Sequence, residues 1–205
     1  MEKINNWEEI EAKGISDFVR LSAGGYVGII KNAEEYTSES SGNKSLKVEC
    51  DICEGNFKDY FQKSYDNNNN SDKKWDNNST RYLGLGESSL PFLKGFITAV
   101  ENSNVGYKWD WDEKKLIGKK VGLVYQYEEY EKQDGDKGIK TKLNQFRSID
   151  KVGEVNNNNR ITDYVKLLDG TYMSIDDYYE KQESNVNPKV NFDDVIELTG
   201  ENLPF

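Results

Sequence analysis

The sequence predicts a mainly β protein: a small five-stranded barrel with one helix between its third and fourth strands, a short helix in front and an acidic tail behind. Three stretches predict it. Residues 45–54 alternate strictly, with Leu46, Val48, Cys50 and Ile52 on one face and Lys47, Glu49 and Asp51 on the other, the period of a half-buried strand. Phe92, Leu93, Phe96, Ile97 and Val100 recur at helical spacing just after Pro91, so one face of that helix is expected in a core. Residues 119–130 alternate again, Val121, Leu123, Tyr125 and Tyr127 sharing a face, and turn through the glycine-rich 134–138 into a return strand at 140–150.

The remaining elements follow in order. Residues 6–13 read as a short helix capped by Asn5 or Asn6 and ended by Gly14. Gly24-Gly25 introduces the first strand, 26–33, and a turn-rich break at 38–43 separates it from the second, 45–54. Gly55-Asn56 turns the chain into 57–65, dense in aromatics, which reads as the third strand. Residues 66–80 form a polar loop with little to bury, expected to be mobile. Ser88 or Ser89 caps the central helix, and Asn102 to Asn104 with Gly106 end it. Past a second linker at 156–159, residues 164–174 carry the signal of a small hairpin across Asp169-Gly170 and 176–183 that of a short helix; disorder is expected from Ser184 onward. The expected division is a barrel at 1–152, an appended hairpin and helix segment at 153–183 and a tail at 184–205. Three strands, a helix and two strands is the order of the OB-fold, which binds oligonucleotides across one face.

Composition excludes more than it assigns. There is no histidine, so the commonest general base and the Ser-His and Cys-His nucleophiles are absent. Cys50 and Cys53 fall three apart in a strand pattern, on opposite faces, and read as strand thiols; with no further Cys or His they do not close a zinc site unless carboxylates complete it. No cofactor is expected. No run is long enough to span a bilayer and the first residues lack a signal-peptide pattern, so a cytoplasmic protein is expected. The net charge of −10 is unevenly spread: residues 1–152 carry 23 Lys and Arg against 26 Asp and Glu, and residues 153–205 carry 4 against 11. The acidity is concentrated at the end, and the body is close to balanced, which leaves room for a locally basic groove.

Binding a single strand without sequence preference needs cations that follow the phosphates and aromatic faces on which bases stack. The chain interleaves the two. Lys58, Tyr60 and Lys63 form one cluster, Lys73, Lys74 and Trp75 with Arg81 and Tyr82 a second, Lys108 and Trp109 a third, and Lys140, Lys142, Phe146 and Arg147 a fourth. Tyr60 is expected to face solvent, Trp75 sits in a loop with no core to join, and at least one of Trp109 and Trp111 is expected to pack under the helix. Phe61, Phe96 and Val121 read as ordinary core.

Gly25-Tyr26-Val27, the run from Phe92 to Glu101, the run from Lys108 to Lys114 and the run from Leu116 to Gly122 resemble a family of small proteins encoded beside replication and recombination genes in phages and mobile elements of Gram-positive bacteria. The resemblance covers roughly residues 17–152. It implies an OB-fold single-stranded DNA-binding protein acting in DNA replication, recombination or repair in the bacterial host cytoplasm. A separate resemblance lies at the end. Asp193, Asp194 and Glu201 ahead of Leu203, Pro204 and Phe205 are similar to the acidic tip of bacterial single-stranded DNA-binding proteins, though Glu201-Asn202 dilutes its acidic cluster. That implies partner recruitment, since a terminal carboxylate beside an apolar side chain suits a basic pocket.

The leading expectation is thus a non-catalytic single-stranded DNA-binding protein whose tail recruits replication and recombination proteins, with self-association left open. An acidic adaptor that mimics DNA is the alternative. A nuclease is a third: Glu113-Lys114-Lys115 contains an E-x-K, and Asp110 and Asp112 are suitable Mg²⁺ ligands, but an acidic cluster starting a helical turn accounts for the same residues.

Overall fold

The computed structural model describes residues 19–186. Its frame is one mixed, mainly antiparallel sheet whose bends come from two bulges. The longest strand, β1 (Gly24–Thr37), pairs with β4 (Lys120–Glu131) through residues 24–29 and with β2 (Lys44–Ile52) through residues 28–37. Its register with β2 slips between Ile30 and Asn32, so Lys31 is an extra residue and the strand bends from one neighbour to the other. β3 (Thr80–Gly84) adds to β2, and β5 (Lys137–Arg147) adds to β4 with a second slip that leaves Asn144 extra.

α2 (Leu90–Ser103) lies between β3 and β4 in the chain and buries Leu93, Phe96, Ile97, Ala99 and Val100. These meet the inward residues of the strands, including Leu46, Val48, Cys50 and Ile52 of β2 and Val121, Leu123 and Tyr125 of β4, as the alternation predicts. Cys50 is buried and Cys53 half-buried, both free thiols. Among the described residues no ladder joins β3 to β5, so the closed barrel expected from the sequence is not formed. β3 offers only five residues, and the facing strand is interrupted by the Asn144 bulge. The sheet is open there, and the fold is mixed α/β rather than mainly β.

Residues 152–186 join the same sheet. α3 (Val152–Asn156) lies over the start of β1, where a Cβ on Gly25 would sit 2.8 Å from the Val152 carbonyl, and one on Gly122 2.8 Å from the Val152 side chain. The Asn156 amide clamps Gly25, accepting from its N–H at 2.6 Å and donating to its carbonyl at 3.2 Å. Where a linker is expected at 156–159, α3 ends and α4 (Asn159–Thr162) begins, capped by the Asn158 side chain. β6 (Tyr164–Lys166) then pairs parallel with Tyr127 and Glu128 of β4, beyond the end of β1. β7 (Tyr172–Ser174) completes the predicted hairpin, and α5 (Ile175–Val186) follows, reaching past Ser184 where disorder was expected. The helix expected at 6–13 and the tail beyond 186 lie outside the described residues. No helix among the described residues is long and apolar enough to cross a membrane.

The expected third strand, 57–65, is instead a turn and a helix, α1 (Tyr60–Asn67). Phe57, Tyr60, Phe61 and Tyr65 are spaced by three, four and eight residues, a helical period inside a stretch whose aromatic density suggests a strand. Two backbone features decide it. Asp59 adopts the left-handed conformation with φ 59°, and the carboxylate of Asp51 at the end of β2 accepts the N–H groups of Phe61 and Gln62, at 3.0 and 3.1 Å. The third strand comes after the polar loop instead, at β3.

Candidate nucleic-acid interface

The opening between β3 and β5 forms a cleft of about 570 Å³ whose walls include Arg81 and Tyr82 of β3, Phe92 of α2, and Asn144, Phe146 and Arg147 of β5. Register determines how β3 presents its pair. Arg81 is opposite Val48 and so shares the inward face, pointing into the gap, while Tyr82 is opposite Lys47 on the outward face at the rim. Phe146 packs on Phe96 with centroids 4.5 Å apart and remains half-buried. Phe92, expected in the core, is 73% exposed: it lies in the first turn of α2, where the helix borders the cleft instead of the sheet. Tyr82 is 46% exposed and meets Tyr36 of β1 edge-on at 5.1 Å. Among the described residues neither Arg81 nor Arg147 forms an ion pair; Arg147 donates only to the Gln145 amide oxygen, at 3.0 Å.

Further along β5, about 200 Å³ of space lies between Arg20, Tyr60, Asn78 and Lys140, with Asp76 the only acid in its lining among the described residues. The 3₁₀ turn at Asn77–Ser79 that leads into β3 approaches β5 here. Residue numbers rise together on the two sides, 76–78 opposite 139–141 and 81–84 opposite 144–147, so the two spaces follow one another along β5. From Lys140 to Phe146 is roughly 20 Å at about 3.3 Å per residue.

The frame holding this gap is buried and hydrogen-bonded. Ser79 Oγ donates to the Cys50 carbonyl and accepts from the Tyr125 hydroxyl, both at 2.7 Å, and burial raises the Tyr125 pKa well above its ordinary value, so the hydroxyl keeps its proton. The Trp75 indole N–H donates to the same carbonyl at 3.1 Å. Burial also raises the Asp51 carboxyl above its ordinary value, an effect opposed by the three backbone N–H groups it accepts, from Phe61, Ile52 and Gln62.

The other predicted residues are placed less uniformly. Trp75, expected to have no core to join, packs against the core, its ring tilted against that of Tyr65 with centroids 5.7 Å apart. Tyr60, expected to face solvent, is half-buried between Phe57 and Phe61 while still lining the smaller space. Lys58, Lys63, Lys73 and Lys74 surround α1 without an ion pair among the described residues; Lys63 bonds to the Lys58 carbonyl, and Lys73 lies 4.5 Å from the Tyr65 ring centre. Lys108 and Lys142 are held by Glu101 and Glu128, at 2.8 and 3.7 Å. Lys108 and the Trp109 N–H keep the Glu101 carboxyl below its usual range. Trp109 is half-buried on the core, away from the cleft. Asp110 pairs with Lys115, and Asp112 caps the 3₁₀ turn at Glu113–Leu116 by accepting the Lys114 N–H at 3.1 Å. Among the described residues no group of three or more Cys, Asp or Glu is arranged to hold a metal. Asp193, Asp194, Glu201, Leu203, Pro204 and Phe205 lie outside the described residues. Sequence reasoning missed Arg20, Tyr36, Phe92 and Asn144; only Tyr36, an aromatic on the outward phase of β1, carried a readable signal.

Fold and cleft together define a mixed α/β protein built on one open sheet, with aromatic and unpaired cationic side chains at the opening. Residues 8–137 match the family described as "Protein of unknown function (DUF669)"; the match spans more than half of the chain, which belongs to that family. Arg81, Tyr82 and Phe92 fall inside the matched span, and Phe146 and Arg147 beyond it. No curated protein matches the chain.

Proposed function

We propose that the protein binds single-stranded DNA along the gap between β3 and β5, without catalysis, and that its acidic C-terminal residues recruit replication or recombination proteins. The strand order β3-β2-β1-β4-β5, with α2 inserted between β3 and β4, is read as an OB-type frame left open at its last seam. One observation carries the proposal: aromatic faces (Tyr82, Phe92, Phe146) with Arg81 and Arg147, and then Arg20 and Lys140, line two spaces that succeed one another along β5, and none of these four cations pairs with a carboxylate among the described residues. Such a groove suits a flexible strand whose bases stack and whose phosphates run beside the cations.

A labelled oligo-dT titration at several salt concentrations tests it. Four phosphate contacts at about 0.7 each give a slope of log K on log salt near −3. Micromolar or tighter binding at low salt with that slope supports the proposal, and no binding at low salt refutes it.

A further inference from the structure

α2 borders a second opening. While Phe92 and Phe96 line the cleft, Leu93 faces a hollow of about 130 Å³ shared with Glu35, Leu46, Trp109, Trp111 and Glu113. Three features of this hollow have no structural explanation. Trp111 is 78% exposed, with its ring centre 4.5 Å from that of Trp109. Its backbone is left-handed, φ 71°, a strained conformation for a bulky residue. The Trp109 indole N–H is buried without a hydrogen-bond partner. Exposing one indole, straining its backbone and orphaning the other's donor all oppose stability, the pattern expected where a site is built for a ligand.

The surroundings select its charge. Nearby acids are already engaged: Asp110 with Lys115, Asp112 as a cap, Glu101 with Lys108, and Glu35 through one oxygen with Lys44 at 2.7 Å. Glu113 meets no Lys or Arg among the described residues. Two tilted indole faces attract a cation through their quadrupoles, and an unpaired carboxylate beside them adds to it, whereas a phosphate would be repelled. The volume is that of about four waters, too small for a nucleotide and sufficient for the tip of one side chain.

We propose that the hollow between Trp109, Trp111 and Glu113 is a docking site for an arginine side chain presented by a partner polypeptide. A guanidinium is planar, stacks on indoles, carries a fork of donors that fits a carboxylate and is more weakly hydrated than an ammonium, so it suits this site better than lysine. The surface is separate from the DNA cleft and does not depend on it.

The test uses the ¹⁵N-labelled full chain, titrated with blocked Gly-Arg-Gly, Gly-Lys-Gly and Gly-Glu-Gly peptides and with oligo-dT, while the indole N–H signals are followed. The arginine peptide is expected to shift the Trp109 and Trp111 signals saturably in about the millimolar range, the lysine peptide more weakly and the glutamate peptide not at all, with Trp75 unmoved. E113Q should weaken the response several-fold. Trp111→Gly should remove the Trp109 shift and raise the melting temperature, because glycine relieves the left-handed backbone; loss of binding with a gain in stability separates a binding role from a structural one. Absence of a saturable shift, an equal response to the glutamate peptide, or oligo-dT moving these two signals in place of arginine would overturn the proposal. So would a concentration-dependent shift without peptide accompanied by a doubled mass in sedimentation, which would assign the hollow to a second copy of the chain.

Discussion

Replacing Arg81 and Arg147 together by glutamine removes two of the four cations along the gap that pair with no carboxylate among the described residues and leaves its aromatic faces in place. Each phosphate contact contributes about 0.7 to the salt slope of single-strand binding, so the slope should fall from about −2.8 to about −1.4. Between roughly 50 and 200 mM salt, wild-type affinity should then fall about fifty-fold and the variant's about seven-fold. Neither arginine forms an ion pair among the described residues and Arg147 is exposed, so thermal unfolding should change little, and circular dichroism provides the control. Fluorescence polarisation of labelled oligo-dT at four or five salt concentrations gives both slopes. K108Q serves as the contrast: Glu101 already holds Lys108, so its slope should match wild type. An unchanged slope in the double variant, or an equal loss in K108Q, would refute the assignment of the gap as the phosphate path.

Tyr82→Ala and Phe92→Ala should each weaken oligo-dT binding by about 1–3 kcal/mol, some five- to 150-fold, with the salt slope retained, since they remove stacking and not charge. Asp51→Ala orphans the N–H groups of Phe61 and Gln62 at the start of α1 and should lower unfolding stability by about 2–6 kcal/mol in denaturant titrations, at about 1–3 kcal/mol per orphaned group. The Asp51 carboxyl titrates above its ordinary 3.8, so the folded state binds its proton more tightly than the unfolded chain does. Its contribution to stability therefore decreases as pH rises through the window above 3.8, and a stability–pH comparison with D51N should show that component of the slope removed. Trp75→Phe keeps the ring but loses the bond to the Cys50 carbonyl, so stability should fall by about 1 kcal/mol while DNA affinity at fixed salt is unchanged. Deleting residues 191–205, tethered at about millimolar effective concentration, should raise oligo-dT affinity at low salt; equal affinity would show that the acidic segment does not compete for the groove.

The elements legible in the sequence were those whose core-facing residues recur at a regular period, even where, as over Val121–Gln126 of β4, the other face is buried too. β2 and β4 alternate because Leu46, Val48, Cys50, Val121, Leu123 and Tyr125 face a single core, and α2 carries the helical stripe that covers it. Residues 57–65 were misread because the signal that settles them is not local: Asp51, ten residues before Phe61, supplies the helix cap. Trp75 misled for the same reason, since its partner is a backbone carbonyl on β2 that no pattern within the polar loop reveals. The cleft was half legible. Arg81, Tyr82, Phe146 and Arg147 stand out as cations interleaved with aromatics, but that they lie across one gap from each other follows from the sheet order, and Phe92 obeys the core spacing while the first turn of its helix borders the opening. Lys108 and Lys142 look identical to the others in sequence, and only their distances to Glu101 and Glu128 separate them.

The most direct measurement of the central claim is photo-crosslinking of the full chain to an oligo-dT bearing bromodeoxyuridine, followed by mass-spectrometric mapping of the attached peptides. Adducts on Tyr82 and on Phe92 or Phe146, competed by unlabelled oligo-dT and lost above a few hundred millimolar salt, are the predicted result. Adducts confined to Trp109 and Trp111, or none at salt concentrations where binding is saturated, would contradict it.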